Sequence, residues 1–317
     1  MTDGRSWLLR RLVVGVAQIA GVVALVFLLT EALPGDAAVA LAGDAPDPER
    51  VARIREIMRL DEPAAERFAD WAAGLLRADL GTSLVSGRPV TGYLADALGP
   101  TLLLAGLTLL LLVPVSVGLG VLAARHEGGR TDRLISTVTL GVYAVPEFAL
   151  GVLLIVVFAL RLGWLPPTAV GHGTDLLAEP AVLVLPVLVL LARPVCSISR
   201  LVRAGMIEAM ASPYAAQARR YGVPGRRVRW AHALPNAVAP AAQQLARTCD
   251  WLLSGVIVVE ALFVIPGLGT VLIDAVAARD IPVVQGLAVV FGVVTVVLNL
   301  GADVVTRRFA PRAGVAA

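Results

Sequence analysis

The chain has 317 residues, of which 57% are hydrophobic and 16% charged, with 27 basic groups against 24 acidic ones and a formal net charge of +3. Soluble domains run at about 45–50% apolar and about 25% charged, so this composition, with a mean hydropathy of +0.80, excludes an ordinary soluble fold and specifies a polytopic membrane protein. Every basic residue is arginine; without Lys there is neither a phosphate-cradling P-loop nor Schiff-base catalysis. Cys196 and Cys249 sit in apolar stretches and give no disulfide framework. His126, His172 and His232 lie far apart and share no ligand spacing, so no metal site is expected. No nucleophile–base pair or cofactor loop stands out, and neither an enzyme nor a nucleic-acid partner is expected.

Six stretches are apolar enough to cross a hydrocarbon core of about 30 Å: 12–30, 101–124, 134–160, 181–199, 241–264 and 284–305. The first could instead be a secretory signal, with Arg10-Arg11 before it and Ala40-Leu41-Ala42 resembling a cleavage site. Its apolar run exceeds the 7–15 residues of a usual signal, so it is taken as a span. Residues 31–99 form an extracytoplasmic insertion with twelve acidic and seven basic residues. Within it, Val51, Ile54 and Met58 share one face of a helix predicted over Glu49–Arg59. The fourth span carries Pro186, Arg193 and Pro194; the fifth carries Arg247 and Asp250. Pro114, Pro146 and Pro186 are candidate kinks, and Arg193 is expected to snorkel.

Arginines flank alternate ends of these spans. Arg5, Arg10 and Arg11 precede the first; Arg125, Arg130 and Arg133 lie between the second and third; seven arginines against Glu208 lie between the fourth and fifth; Arg307, Arg308 and Arg312 follow the sixth. The positive-inside bias puts both termini and the loop between the fourth and fifth spans in the cytoplasm.

That loop predicts a short helix over Tyr214–Tyr221. Ser212 stands at its N-cap, Pro213 in its first turn, and Gly222 at a C′ position that needs a left-handed backbone. Arg226, Arg227 and Arg229 follow, then His232-Ala-Leu234-Pro235-Asn236. From the residues alone the loop is either a handle for a soluble partner or a basic segment for anionic lipid headgroups.

The loop resembles the EAA signature of the membrane subunits of binding-protein-dependent ABC importers: a short Ala-containing helix, a Gly, nine intervening residues, then a residue, any residue and Leu-Pro. Gly222 and Leu234-Pro235 fit that spacing, while Ala216-Gln217-Ala218 replaces the Glu-Ala-Ala that names it. Further matches run along the chain and are similar to the peptide/nickel branch. They include Leu33-Pro34-Gly-Asp36, Leu60-Asp61-Glu-Pro63, Asp79-Leu80-Gly81-Thr-Ser83 and Asp132-Arg133. Pro146 with Phe148 and Gly151, Gly163-Trp164-Leu165-Pro166, and Arg200, Arg203 and Met206 follow. The stretches from Glu260 to Gly269 and from Ala278 to Gly286, then Asn299-Leu300 and Asp303, complete the set.

The resemblance implies an all-α, six-helix type I importer permease fold. Residues 1–30 would be the tail and first helix, 31–99 the insertion, 100–306 the permease core with a coupling loop at 205–240, and 307–317 a cytoplasmic tail. It further implies a bacterial inner-membrane subunit of the first-permease type, paired with a second permease, two cytoplasmic ATPases that bind ATP and Mg, and an external substrate-binding protein. This chain itself would hold no cofactor. Di- or oligopeptides are the implied substrates, with nickel chelates or another small solute as alternatives. A secondary transporter and a non-transporting scaffold are the readings of another class; the first would need inverted repeats, which the sequence lacks.

By the same resemblance Tyr214, Ala218, Arg219, Arg220, Gly222, His232, Leu234, Pro235 and Asn236 carry the ATPase coupling. Glu147, Arg247, Asp250 and Glu260 are pathway candidates, because ionisable groups inside spans face cavities or partners. Arg247 and Asp250, three apart on one helical face, depart from the small or apolar residues of the branch; they either meet substrate charges or neutralise one another. Pro266, Gly267 and Gly269, read as a turn outside the membrane, and Arg279 and Asp280 are candidates for docking the binding protein.

Overall fold

In a computed structural model, the described residues are 4–32, 37–42, 47–171 and 176–309, with the side chains of several helical positions, Asp250 among them, left out. The quoted positions Leu33, Pro34, Asp36, His172 and Arg312 lie outside the described residues, as do the side chains of Arg5, Arg307 and Arg308. The described residues are mainly helical; they hold no sheet and one isolated bridge, between Thr82 and Pro89. The helices are α1 (Gly4–Glu31), α2 (Ala37–Ala42), α3 (Pro48–Ile57), α4 (Ala64–Leu75), α5 (Val90–Arg125), α6 (Arg130–Ala144) and α7 (Glu147–Leu154). After α7 a π-helical turn runs over Ile155–Arg161. Then come α8 (Ala181–Ala211), α9 (Pro213–Arg220), α10 (Gly225–Arg227), a second π-helical turn at Val228–Ala233, α11 (Leu234–Ala237), α12 (Ala239–Phe263), α13 (Leu268–Ala277) and α14 (Ile281–Phe309).

Among the described residues, four helices are long and apolar enough to cross a membrane: Leu9–Glu31, Val90–Arg125, Ala181–Ala211 and Ile281–Gly301. The expected third span, 134–160, is not one rod. It breaks by 107° between Arg130–Ala144 and Glu147–Arg161. Pro146 causes the break: it has no N–H to donate, and its ring pushes Val145 to an extended conformation (φ −78°, ψ 129°). The fifth expected span, 241–264, is helical over nearly its whole length. Its counterpart is α12 (Ala239–Phe263), whose apolar end Ser254–Phe263 forms, with Leu268–Ala277 after a 77° bend, a second broken pair. Counting each broken pair as one span gives six. Pro114, Pro186 and Pro194 stay inside continuous helices.

The chain divides into two compact units. One comprises 1–101 with 266–300. Here α14 lies along α1 at glycines: a Cβ on Gly15 would stand 2.8 Å from Val296 Cγ1, and one on Gly292 3.1 Å from Val22 Cγ1. Such close backbone approach substitutes for the hydrophobic drive that lipid cannot provide. Gln285 Nε2 donates to Thr30 Oγ1 at 2.8 Å on the same seam. The insertion's α4 folds onto the end of α1, with Phe27 packed on Phe68 and Trp71 (ring centroids 5.2 and 6.1 Å) and Arg67 paired with Glu31 at 2.5 Å. The predicted insertion helix is α3, capped by Asp47, whose carboxylate accepts Glu49 N at 3.1 Å. The exposed pairs of Arg59 with Glu62 and Asp70 add little, because surface ion pairs are screened. Val90, Ala97, Leu268, Ala275, Val283 and Leu287 form this unit's buried cluster.

The second unit, 102–265 with 301–317, is organised around α8. Leu185, Leu190, Val202 and Met206 of α8 are buried at its centre beside Leu104, Leu112, Leu252, Val259 and Phe263. Glycines again set the approach distances. A Cβ on Gly120 would sit 2.7 Å from Ser199 O, and one on Gly205 would sit 2.6 Å from Ala237 O. The second pair holds α8 against α11, the exit of the basic loop. Gly205→Val is therefore expected to destabilise the protein by about 1–3 kcal/mol through overpacking against backbone that has no rotamer to yield. Thermal unfolding in detergent reads this, and a midpoint equal to wild type would refute the close packing.

Candidate functional site

The basic loop leaves α8 at Ser212. That residue has extended backbone (φ −67°, ψ 154°), and its Oγ accepts Ala215 N at 3.4 Å, capping α9. Pro213 occupies the first helical position, where its missing N–H costs nothing. At the other end Gly222 N donates to Arg219 O (3.0 Å) and Val223 N to Ala218 O (3.1 Å). These are the two bonds of a Schellman termination, with Gly222 at φ +76° as its left-handed residue.

One face of α9 is seated and the other is presented. Ala215 is fully buried and Ala218 half-buried, whereas Tyr214, Gln217, Arg220 and Tyr221 are exposed. Arg219 turns back, its Nη2 donating to Met210 O at 2.9 Å. The return limb is tied to the outgoing one: Asn236 Nδ2 donates to Tyr214 Oη at 3.2 Å and to His232 O at 2.9 Å. Val228, Ala233 and Ala237 anchor the limb in the core. His232 and Pro235 are exposed and Leu234 is half-buried. The structure thus brings all nine coupling candidates into one compact hairpin of helices. Arg226 and Arg227 are exposed beside it, and Trp230 adds an exposed aromatic.

A second constellation joins α6 to α8. Asp132 is buried at the start of α6 and accepts a bidentate pair from Arg203 of α8, Nε to Oδ1 at 2.5 Å and Nη2 to Oδ2 at 2.7 Å. Its Oδ2 also accepts Gly128 N at 2.9 Å. The carboxylate closes the turn before α6 and favours that helix's N-terminus. A groove of about 400 Å³ opens nearby between Val121, Arg125, Met206, Met210 and Arg229. Asp132 and Arg203 stood out in the sequence only as matched motif positions. Their pairing spans 71 positions and leaves no local trace.

The pathway candidates separate. Glu147 opens α7 directly after the Pro146 break; it is half-buried, and its Oε1 stands 3.0 Å from where a Cβ on Gly255 would be. Arg247 is exposed and borders a cleft of about 300 Å³ with Tyr143, Arg193 and Trp251. The Asp250 side chain lies outside the described residues. Glu260 is fully buried at the end of α12. Its carbonyl accepts Ile265 N at 2.9 Å and also the N–H of Val264, where the chain turns left-handed at φ 53°. Arg193 lies over the Tyr143 ring at 5.0 Å, with Arg200 over the same ring at 4.9 Å.

The docking candidates also divide. Pro266 and Arg279 are exposed, with Arg279 at φ +55°. Gly267 and Gly269 are buried, because Gly267 caps α13 and Leu268 and Gly269 already belong to that helix. The expected four-residue turn is shorter for this reason. Asp280 is buried as well; its carboxylate accepts Ser83 Oγ and, at 3.1 Å, Leu84 N. It therefore fastens the 79–90 segment to the head of α14.

Sequence comparisons identify the family. Residues 116–315 match the family described as binding-protein-dependent transport system inner membrane component, and residues 5–105 match the N-terminal domain of such components. A probable peptide ABC transporter permease of Sinorhizobium fredii is 35% identical, over 96% of this chain and 98% of its own length. A putative peptide transport system permease of Brucella abortus is 34% identical, over 91% of this chain and 92% of its own. A glutathione transport system permease of Escherichia coli is 35% identical, over 88% of this chain and 89% of its own. With both matches falling on an all-helical, multi-pass scaffold, the chain belongs to the inner-membrane components of binding-protein-dependent transport systems, as an ABC importer permease of the peptide/glutathione family.

Proposed function

We propose that this chain forms one half of an ATP-driven import pathway for short peptides, and that α9 is the element through which cytoplasmic ATPases move it. The observation that carries this reading is the built hairpin. A capped, Schellman-terminated helix presents Tyr214, Gln217, Arg220 and Tyr221 outward, while Arg219, the Tyr214–Asn236 bond and the packing of Gly205 on Ala237 tie it to α8 and α11. A push or pull on α9 is then a push or pull on α8, the buried centre of its unit. ATP can drive transport through such a joint only if the ATPases bind one arrangement of the helices better than the other. The partners of this reading are a second permease, two ATPases carrying ATP and Mg, and an extracytoplasmic binding protein. Both termini and the hairpin face the cytoplasm. The relatives named for peptides and for glutathione support a peptide-like solute.

Co-purification tests it. The chain, expressed with the neighbouring permease and ATPases, is expected to retain the ATPases in detergent, and to lose them when Tyr214, Arg220 and Tyr221 are replaced together by Ala. Retention of the ATPases by that triple variant would overturn the assignment of α9.

A further inference from the structure

The cleft beside Arg247 is a built feature, and none of its lining residues belongs to the coupling hairpin. Its walls come from α6 (Tyr143), α8 (Arg193, Ser197) and α12 (Arg247, Trp251). Arg193 is held against the Tyr143 ring, whose other guanidinium neighbour, Arg200, is fixed by its Nε on Cys196 O at 3.2 Å. Among the described residues, neither Arg193 nor Arg247 has a carboxylate within ion-pair distance. Glu147 is within electrostatic reach of Arg193, but its Oε1 is buried beside Gly255. Asp250 follows Arg247 by three positions, and its side chain is outside the described residues. Charged side chains inside a membrane bundle are costly and persist where they meet a partner or a solute. A guanidinium is a planar fork that matches a carboxylate in two hydrogen bonds.

We propose that the cleft between Tyr143, Arg193 and Arg247 is a subsite for the carboxylate of the solute in transit. This deepens the import reading and rests on it. The two guanidiniums stand on different helices, α8 and α12, so a carboxylate between them would link two walls of the pathway. A peptide with a free C-terminus carries the required group; its amide does not. An anionic lipid headgroup offers similar chemistry from another source.

The test reads the field of the cleft directly. In the assembled complex, with Cys196 and Cys249 replaced by Ala, Ser197→Cys places a thiol in the cleft wall. An anionic methanethiosulfonate reagent is expected to modify it about tenfold faster than a cationic one, relative to a free thiol, because lined clefts focus field lines. The ratio includes whatever Asp250 contributes. Arg193→Gln with Arg247→Gln is expected to bring it to about one. Dialanine should slow the modification and dialanine amide should not, equally in vesicles of zwitterionic and of anionic lipid. Gln244→Cys, in the same cleft, carries the measurement if Ser197→Cys fails to assemble. A ratio near one in the parent, or protection by anionic lipid alone, would overturn the proposal. A clear anion preference with dialanine protection, but no ATP-driven uptake of dialanine, a longer peptide or glutathione, would support the subsite and overturn the import reading alone.

Discussion

Gly222→Val is expected to abolish most ATP-driven uptake while leaving the membrane bundle folded. The residue sits at φ +76° as the left-handed member of the Schellman ending of α9. A side chain there would meet nothing within 4 Å, so the effect is backbone strain and not collision. Left-handed backbone costs an L-residue roughly 1–2 kcal/mol, and more for a β-branched one. About 1.4 kcal/mol is a factor of ten in an equilibrium. The chain relieves that strain by unwinding the last turn of α9, which releases the bonds from Gly222 and Val223 to Arg219 and Ala218. The face formed by Tyr214, Gln217 and Tyr221 then loses its geometry. Uptake is expected to fall by roughly tenfold or more, with the unfolding midpoint of the solubilised chain little changed. Gly222→Ala, which lacks the branch, should fall between the two. Unimpaired uptake by Gly222→Val would remove the coupling role from this helix end.

Asp132→Ala is expected to cost this chain a large part of its stability. Breaking a buried ion pair by removing one partner costs about 3–5 kcal/mol; because Arg203 keeps 30% of its side chain exposed, about 3 kcal/mol is expected. The substitution strands a guanidinium and leaves Gly128 N without its acceptor. Arg203→Ala should be at least as damaging, since the carboxylate it leaves behind is only 6% exposed. Arg203→Lys keeps the charge but loses the two-pronged geometry, and should recover only part of the loss. Thermal or chemical unfolding in detergent measures the series. Losses under about 0.5 kcal/mol for both alanine variants, the range of ordinary surface changes, would mean that the pair does not hold α6 to α8.

Much of this architecture was legible in the residues because membranes impose simple rules. Long apolar runs had to be helices, since backbone groups in lipid find partners only within the segment. Ser212, Pro213 and Gly222 marked both ends of α9 by local stereochemistry alone, and the structure has that helix at Pro213–Arg220. Features that depend on distant partners were not legible. The Asp132–Arg203 pair joins positions 71 apart, and Asp280 meets Ser83 across 197. Hydropathy counted 134–160 as one span because it averages over Pro146, whereas the backbone responds to that proline at a single residue. The reading of Pro266–Gly269 as a turn followed its Pro-Gly composition. Gly267 instead caps α13, and Leu268 and Gly269 are drawn into that helix, buried with Ala275.

The most direct measurement is uptake into proteoliposomes holding this chain with its neighbouring permease, ATPases and binding protein, supplied with ATP. Labelled dialanine, a longer peptide, glutathione and a nickel chelate are compared in parallel. The account predicts accumulation of at least one peptide-like solute that stops without ATP and is lost in Gly222→Val. Accumulation of the nickel chelate alone would keep the architecture and the α9 joint but contradict a peptide substrate. ATP-independent uptake driven by an ion gradient, or no uptake of any probe by an intact assembly, would contradict the account.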